Sequence, residues 1–138
     1  MNINVELDEN AIFPTKAHDA DAGFDLYSPN RVVLFCEDSV TIDTGVHFEI
    51  PDGYVGMLKS KSGLNCNHSI VSEGVIDAGY TGSVRVKLYN HSKERYVINA
   101  GDKITQIVFL EIPKVHLSVV DRIKGLDRGD NGFGSSGK

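Results

Sequence analysis

Four groups of residues in this chain have the types and spacing for chemistry on an anionic substrate. The first is a lone carboxylate, Asp77, delivered by the apolar pair Val75-Ile76 and followed by Ala78-Gly79-Tyr80-Thr81-Gly82. The two glycines permit the positive φ of a sharp turn. A carboxylate beside a tight hairpin with an aromatic at its tip can be aimed at a reacting group, although an aspartate next to glycine also commonly satisfies its own backbone. The second group is Lys59-Ser60-Lys61-Ser62-Gly63-Leu64, two cations interleaved with two hydroxyls before a glycine. Lysine supplies charge to an anion, while serine and backbone amides supply donors. The third, Asp19-Ala20-Asp21-Ala22-Gly23-Phe24-Asp25, places three aspartates among small residues but lacks the ligand spacing and closing glutamate of a calcium loop.

The fourth group is the tail, residues 125–138, with five glycines in fourteen positions. Such a stretch buries too little apolar surface to order itself and reads as mobile until a ligand arrives. Arg128, Ser135, Ser136 and the glycine amides are phosphate donors, and Phe133 offers a flat face for stacking on a base. Residues 132–138 also fit both Gly-x-Gly-x-x-Gly and the opening of a P-loop, but those motifs hand phosphate to a following helix, and no such helix is written here.

The elements that must position these groups read as strands. Val84, Val86 and Leu88 alternate with Arg85, Lys87 and Tyr89 from Ser83 onward, the period-two pattern of a strand with one buried face. Short β-rich runs recur at 4–7, 31–35, 39–43, 45–50, 54–58 and 96–98, separated by turn signals such as Pro51-Asp52-Gly53 and Asn99-Ala100-Gly101-Asp102. Residues 103–112 are too continuously apolar for an exposed strand and belong in the core, with Gln106 either making a local bond or facing a site. Val115 to Val120 is expected to close the regular structure. No stretch shows sustained helical periodicity, so the expected fold class is an all-β barrel or sandwich.

At 138 residues and 41% apolar the chain suits one domain with a real core. A net charge of −5 provides no global footprint for nucleic acid, so phosphate binding must be local. Cys36 and Cys66 stand apart, outside any Cys-x-x-Cys spacing, and are expected as buried small hydrophobes. Residues 1–8 have neither a basic n-region nor an apolar run, and no transmembrane stretch occurs, so a cytoplasmic protein with no membrane partner is expected.

Taken together and in order, residues 21–26, Lys61-Ser62-Gly63-Leu64, residues 74–80, Gly101-Asp102-Lys103-Ile104-Thr105-Gln106 and residues 128–137 resemble the five motifs of the trimeric dUTPases over essentially the whole chain. The resemblance implies a jelly-roll-like distorted β-barrel of residues 1–124, a flexible Gly-rich C-terminal arm of residues 125–138, and a homotrimer with three active sites at subunit interfaces. It implies hydrolysis of dUTP to dUMP and pyrophosphate with Mg2+. Asp77 would be the general base for the attacking water and Asp25 would hold magnesium through water. Lys61, Ser62, Gly63 and Gln106 would bind the triphosphate. Backbone groups of the hairpin around Asp77 to Tyr80 would read uracil, with Gly74, Ile76 and Gly79 among the substrate-binding residues and Tyr80 packing on the sugar. Phe133 and Gly134 would close over the base, while Arg128, Ser135 and Ser136 take the distal phosphates. Each site would draw the first, second and fourth motifs from one subunit, the third from a neighbour and the arm from the remaining one.

Two departures stand out: relatives usually carry arginine where Lys61 and Thr81 stand, and lysine cannot make the two-pronged contact of a guanidinium. A dCTP deaminase would resemble the same central motif, but its glutamate base falls ten positions beyond the motif aspartate, at Lys87 here. A third reading, a binding module without catalysis, must explain why Asp77, Asp25, Ser62, Tyr80 and Phe133 are all present.

Overall fold

The computed structural model describes residues 1–125. Ten strands and one short helix follow in the order β1 (Asn4–Leu7), β2 (Phe24–Tyr27), β3 (Val32–Leu34), β4 (Ser39–Asp43), β5 (Val46–Glu49), β6 (Tyr54–Lys59), α1 (Ser62–His68), β7 (Ile70–Ile76), β8 (Arg85–Asn90), β9 (Tyr96–Ile98) and β10 (Lys103–Glu111). Every ladder between them is antiparallel. Six strands form one sheet in the order β2-β10-β6-β7-β8-β4, and two further ladders, β1-β5 and β3-β9, complete the walls. The result is the expected all-β, jelly-roll-like distorted barrel.

Alternation fills the inside. Val84, Val86 and Leu88 are fully buried, as are Leu26, Val46, Ile70, Ile98, Ile104 and Ile107, in one continuous cluster. Burying each such side chain stabilises the fold by roughly 1.5–3 kcal/mol before conformational entropy is subtracted. The turn at Pro51-Asp52-Gly53 forms as its chemistry demands, with Gly53 at φ 84°. β10 lies between β2 and β6, which accounts for its apolar run.

Three expectations are corrected. Val115 to Val120 forms no strand: Ile112 still donates to the Gly53 carbonyl at 2.8 Å, but Pro113 has no amide to continue the ladder, and residues 113–125 run exposed. Leu117 and Val119 are essentially fully exposed in the single chain. Cys36 and Cys66 are exposed, the one in the turn after β3 and the other on α1, a helix with no buried residue. That helix breaks the expectation of an unbroken β chain. It spans seven residues, starts after Lys61 in an extended conformation and stops at Ser69 in the left-handed region, φ 53°. Two turns without a buried face write no 3.6-residue period into the sequence.

Among the described residues no helix is long and apolar enough to cross a membrane.

Candidate active site

Strand register builds a row of polar residues across the sheet. Asp25 of β2 pairs with Gln106 of β10, Gln106 pairs with Lys59 of β6, and Lys59 pairs with Glu73 of β7. Directly paired residues share a face, so these four side chains stand side by side. Lys61 and Ser62 follow where β6 ends, and Lys103 stands at the start of β10.

Asp25 is the centre of this row. It is buried, with Lys61 Nζ on one carboxylate oxygen and Lys103 Nζ 2.8 Å from the other. Burial by itself would raise its pKa, but the hydrogen bonds and charges of Lys103 and Lys61 outweigh it and hold the carboxyl below 3.8. The pairing holds Lys103 above its ordinary value in turn. Gln106 is half-buried and donates to the Ser60 carbonyl at 3.4 Å, so it makes a local bond while standing in the polar row. Gly23 makes room for it: a Cβ there would fall 2.8 Å from Gln106 Oε1.

Behind the row, hydroxyls fix the exit of β6. Thr105 donates to the Lys59 carbonyl (2.9 Å) and bonds the Ser72 hydroxyl (2.8 Å), while Ser60 donates to the Ser72 carbonyl and accepts its amide. These bonds extend the β6–β7 ladder past its last backbone pair and set where Lys61, Ser62 and Gly63 emerge. Ser62 and Gly63 are exposed at the start of α1, whose first amides have no partner within the helix.

The Asp77 turn lies elsewhere on the chain. Gly74 and Ile76 sit in β7 against Leu58 and Gly56, and Asp77 follows as an exposed carboxylate. Its backbone carbonyl accepts the Tyr80 amide at 3.2 Å. Of the two glycines only Gly79 uses positive φ, at 80°. Gly82 serves differently: a Cβ there would lie 2.6 Å from Tyr80 Cζ, so the missing side chain is what lets the tyrosine ring fold back over the turn. The Tyr80 hydroxyl then donates to the Ser83 carbonyl at 3.1 Å. Val75, Ile76, Asp77, Tyr80 and Arg85 line a cavity of about 230 Å³ there.

The two clusters do not meet within one chain. Ile76 pairs with Gly56, which sets Asp77 level with Val55, four residues from Lys59 and three strands from β2. At ~3.3 Å per residue and ~4.8 Å per strand, Asp77 and Asp25 are on the order of 20 Å apart over the sheet.

Sequence reasoning missed Lys103 and His47. Lys103 sits inside a recognised motif but gives no sign of its partner, because only the β2–β10 register brings it to Asp25. His47 is the polar member of an alternating strand, Val46, Phe48 and Ile50 being its buried neighbours, and reads as a solvated residue. Arg128, Phe133, Gly134, Ser135 and Ser136 lie outside the described residues.

The chain is thus an antiparallel β-barrel protein with two separate polar clusters, a lysine-clamped acid and an aspartate–tyrosine turn. The match to known proteins is specific: residues 9–137 fit the dUTPase family, to which this chain belongs. It is 38% identical to a deoxyuridine 5'-triphosphate nucleotidohydrolase of Clostridium acetobutylicum, the alignment covering 99% of this chain and 97% of that one. The probable counterpart in Schizosaccharomyces pombe is also 38% identical, over 96% and 95% of the two chains. Among solved structures, a Staphylococcus bacteriophage 80alpha dUTPase with dUPNHPP superposes with a TM-score of 0.89 at 32% identity, covering 99% of both chains. A mutant dUTPase from phage phi11 of S. aureus, whose structure reveals the coordination of a structural Mg(II) ion, has a TM-score of 0.84 at 32% identity over 91% of this chain and 100% of that one.

Proposed function

We propose that this protein hydrolyses dUTP to dUMP and pyrophosphate, in active sites formed between the subunits of a homotrimer. The observation that carries the reading is the Asp77 turn itself: an exposed carboxylate beside a tyrosine ring that only Gly82 allows to fold back, in a chain matching the dUTPase family over residues 9–137. Uracil is read by backbone groups of Gly74, Ile76 and Gly79, with Tyr80 against the deoxyribose. A stiff backbone leaves no room for a 5-methyl group, a firmer exclusion than the ~1–3 kcal/mol that one methylene costs in a loose apolar pocket.

The triphosphate extends to the neighbouring subunit's Lys61, Ser62, Gly63 and Gln106. Asp77 accepts a proton from a water molecule whose oxygen bonds the α-phosphorus. The bond from that phosphorus to the bridging oxygen breaks, and pyrophosphate leaves with the electron pair. The arm of the remaining subunit completes the enclosure, with Phe133 and Gly134 over the base and Arg128, Ser135 and Ser136 on the distal phosphates.

The fit to magnesium depends on the nucleotide. Among the described residues no three histidine, cysteine or acidic side chains converge on a metal site, and both oxygens of Asp25 are engaged by lysines. This donor set suits a cation that keeps its water shell, which Asp25 would hold through a hydrogen bond from water. When bound, magnesium would offset phosphate charge beside the Asp77 carboxylate. Lys61 is then free to leave Asp25 for a phosphate while Lys103 keeps the carboxylate paired.

The direct test is incubation with magnesium and each of the common deoxynucleoside triphosphates. Pyrophosphate is expected from dUTP alone. Ammonia from dCTP would make the protein a deaminase instead, and binding of dUTP without turnover would leave it a binding module.

A further inference from the structure

The loop of residues 77–84 lies along the segment 44–50 and is tied to it at intervals. The Gly79 amide donates to the Ile50 carbonyl at 3.4 Å, and the Val84 amide donates to the Val46 carbonyl at 2.8 Å. The Val84 carbonyl accepts both the amide and the hydroxyl of Thr44, at 3.0 and 2.8 Å. Between these ends one tie holds the turn just after Tyr80: His47 Nδ1 lies 2.8 Å from the Thr81 carbonyl. The other ring nitrogen, Nε2, lies 3.2 Å from Asp8 Oδ1.

Both partners only accept. A neutral imidazole carries one N–H, so one of the two contacts would set a lone pair against a lone pair, whereas the imidazolium donates to both. The surroundings favour that cation. Glu6 of β1 is the direct cross-strand partner of His47, Asp8 follows from the same arm, and Glu49 lies two residues along β5 on the same face. The loop itself faces the ring with uncharged residues, Ala78 to Ser83. The Thr81 carbonyl, working against partial burial and reinforced by Asp8 and Glu6, holds the imidazole pKa above 6.5. The remaining ties use backbone and hydroxyl groups, apart from Asp43, which bonds the Ser83 side chain and is held below 3.8 by it, so above that range the hold on the turn behind Tyr80 is the one that answers to pH.

We propose that His47 is a positioning residue for the nucleoside: as the imidazolium it clamps the Thr81 carbonyl and fixes Tyr80 against the sugar, and on losing its proton it slackens that turn. The proposal rests on the reading that Tyr80 receives deoxyribose. It makes nucleotide affinity weaken as pH rises while the chemical step at saturation keeps its own pH dependence.

The test measures dUMP binding by calorimetry and amide exchange of Tyr80, Thr81 and Gly82 in the free protein, both across the titration of the His47 ring followed by NMR. For the natural sequence, the dissociation constant is expected to rise about three- to tenfold from below to above that titration, the size of one charge-assisted hydrogen bond partly open to solvent. Protection factors at the three amides, with the intrinsic base-catalysed rate divided out, should fall over the same interval. His47→Gln, which cannot titrate, should remove the His47 step from both responses and leave in the affinity curve only the titration of the dUMP phosphate, and Asp8→Asn should move the step to lower pH. The same two curves in His47→Gln as in the natural sequence, or curves without that step in the natural sequence, would overturn the proposal. If dUMP failed to bind at any pH the functional reading would fall, and the exchange curve of the free protein would still decide for or against the latch.

Discussion

The register holds Asp77 and Asp25 on the order of 20 Å apart over one sheet, so the proposed site takes them from two different chains. Two inactive variants should therefore repair each other. One carries Asp77→Asn and an intact phosphate cluster; the other carries Lys61→Met with Ser62→Ala and an intact Asp77. In the proposed trimer, each pure variant would have a lesion in every site. If the variants are unfolded, mixed in equal amounts and refolded, subunits assort at random among trimers. A complete site needs Asp77 from one subunit and the lysine–serine pair from a neighbour, each present with even odds, so about one site in four should be whole. The assay is pyrophosphate release from dUTP, with the subunit exchange verified by mass spectrometry of the intact assembly. Activity near a quarter of the natural rate per site supports a composite site. A mixture no more active than its parents, despite proven exchange, would mean that one chain supplies both halves, and the inter-subunit argument would fail.

Other outcomes follow from the same geometry. Asp77→Asn alone should bind dUTP with near-normal affinity yet lose on the order of 100- to 10,000-fold in kcat, as expected for removing a general base; single-turnover kinetics beside calorimetry would show both. Gly82→Ala places a methyl where the Tyr80 ring now lies, so kcat/KM for dUTP should drop on the order of 10- to 100-fold while the melting temperature barely moves; an unchanged rate would remove Tyr80 packing from the site. Asp25 has its folded pKa depressed below 3.8, so the unfolded chain binds the proton more readily and the resulting stability is present above that value and lost as pH falls through the folded pKa. Urea unfolding should accordingly show a shallower acid loss in Asp25→Asn than in the natural sequence, and identical acid limbs would show that the lysine clamp contributes nothing.

The barrel was legible because its strands alternate and its turns carry the residues their geometry needs. Val84, Val86 and Leu88 announce a buried face, and the Pro-Asp-Gly corner announces a reversal at Gly53. What could not be read was structure without a periodic signal or without a partner. Helix α1 is too short and too exposed to write a period, and residues 115–120 satisfy a strand pattern yet meet no edge once Pro113 interrupts the ladder. The cysteines mislead for a related reason: both sit on turns or helix surface, where position outweighs the general preference of a thiol for the interior.

The site divides along the same line. Asp77, Tyr80 and Gly79 are neighbours in sequence, and a local turn suffices to bring them together, so residue types alone point to them. Asp25, Lys61, Lys103 and Gln106 span most of the chain and are united only by the registers β2–β10 and β10–β6, which no spacing rule encodes. Their union also changes what Asp25 is. From the sequence it is one acid among three and a candidate for metal. In the fold it is a buried anion already balanced by two cations, one at the head of β10 and the other at the exit of β6. A protein that must admit a triphosphate cannot leave that end of its sheet strongly cationic and unpaired without cost, nor make it acidic without repelling the substrate. An aspartate shared between two lysines meets both constraints, since the pair is stable when empty and can yield one lysine to an incoming phosphate while keeping the other.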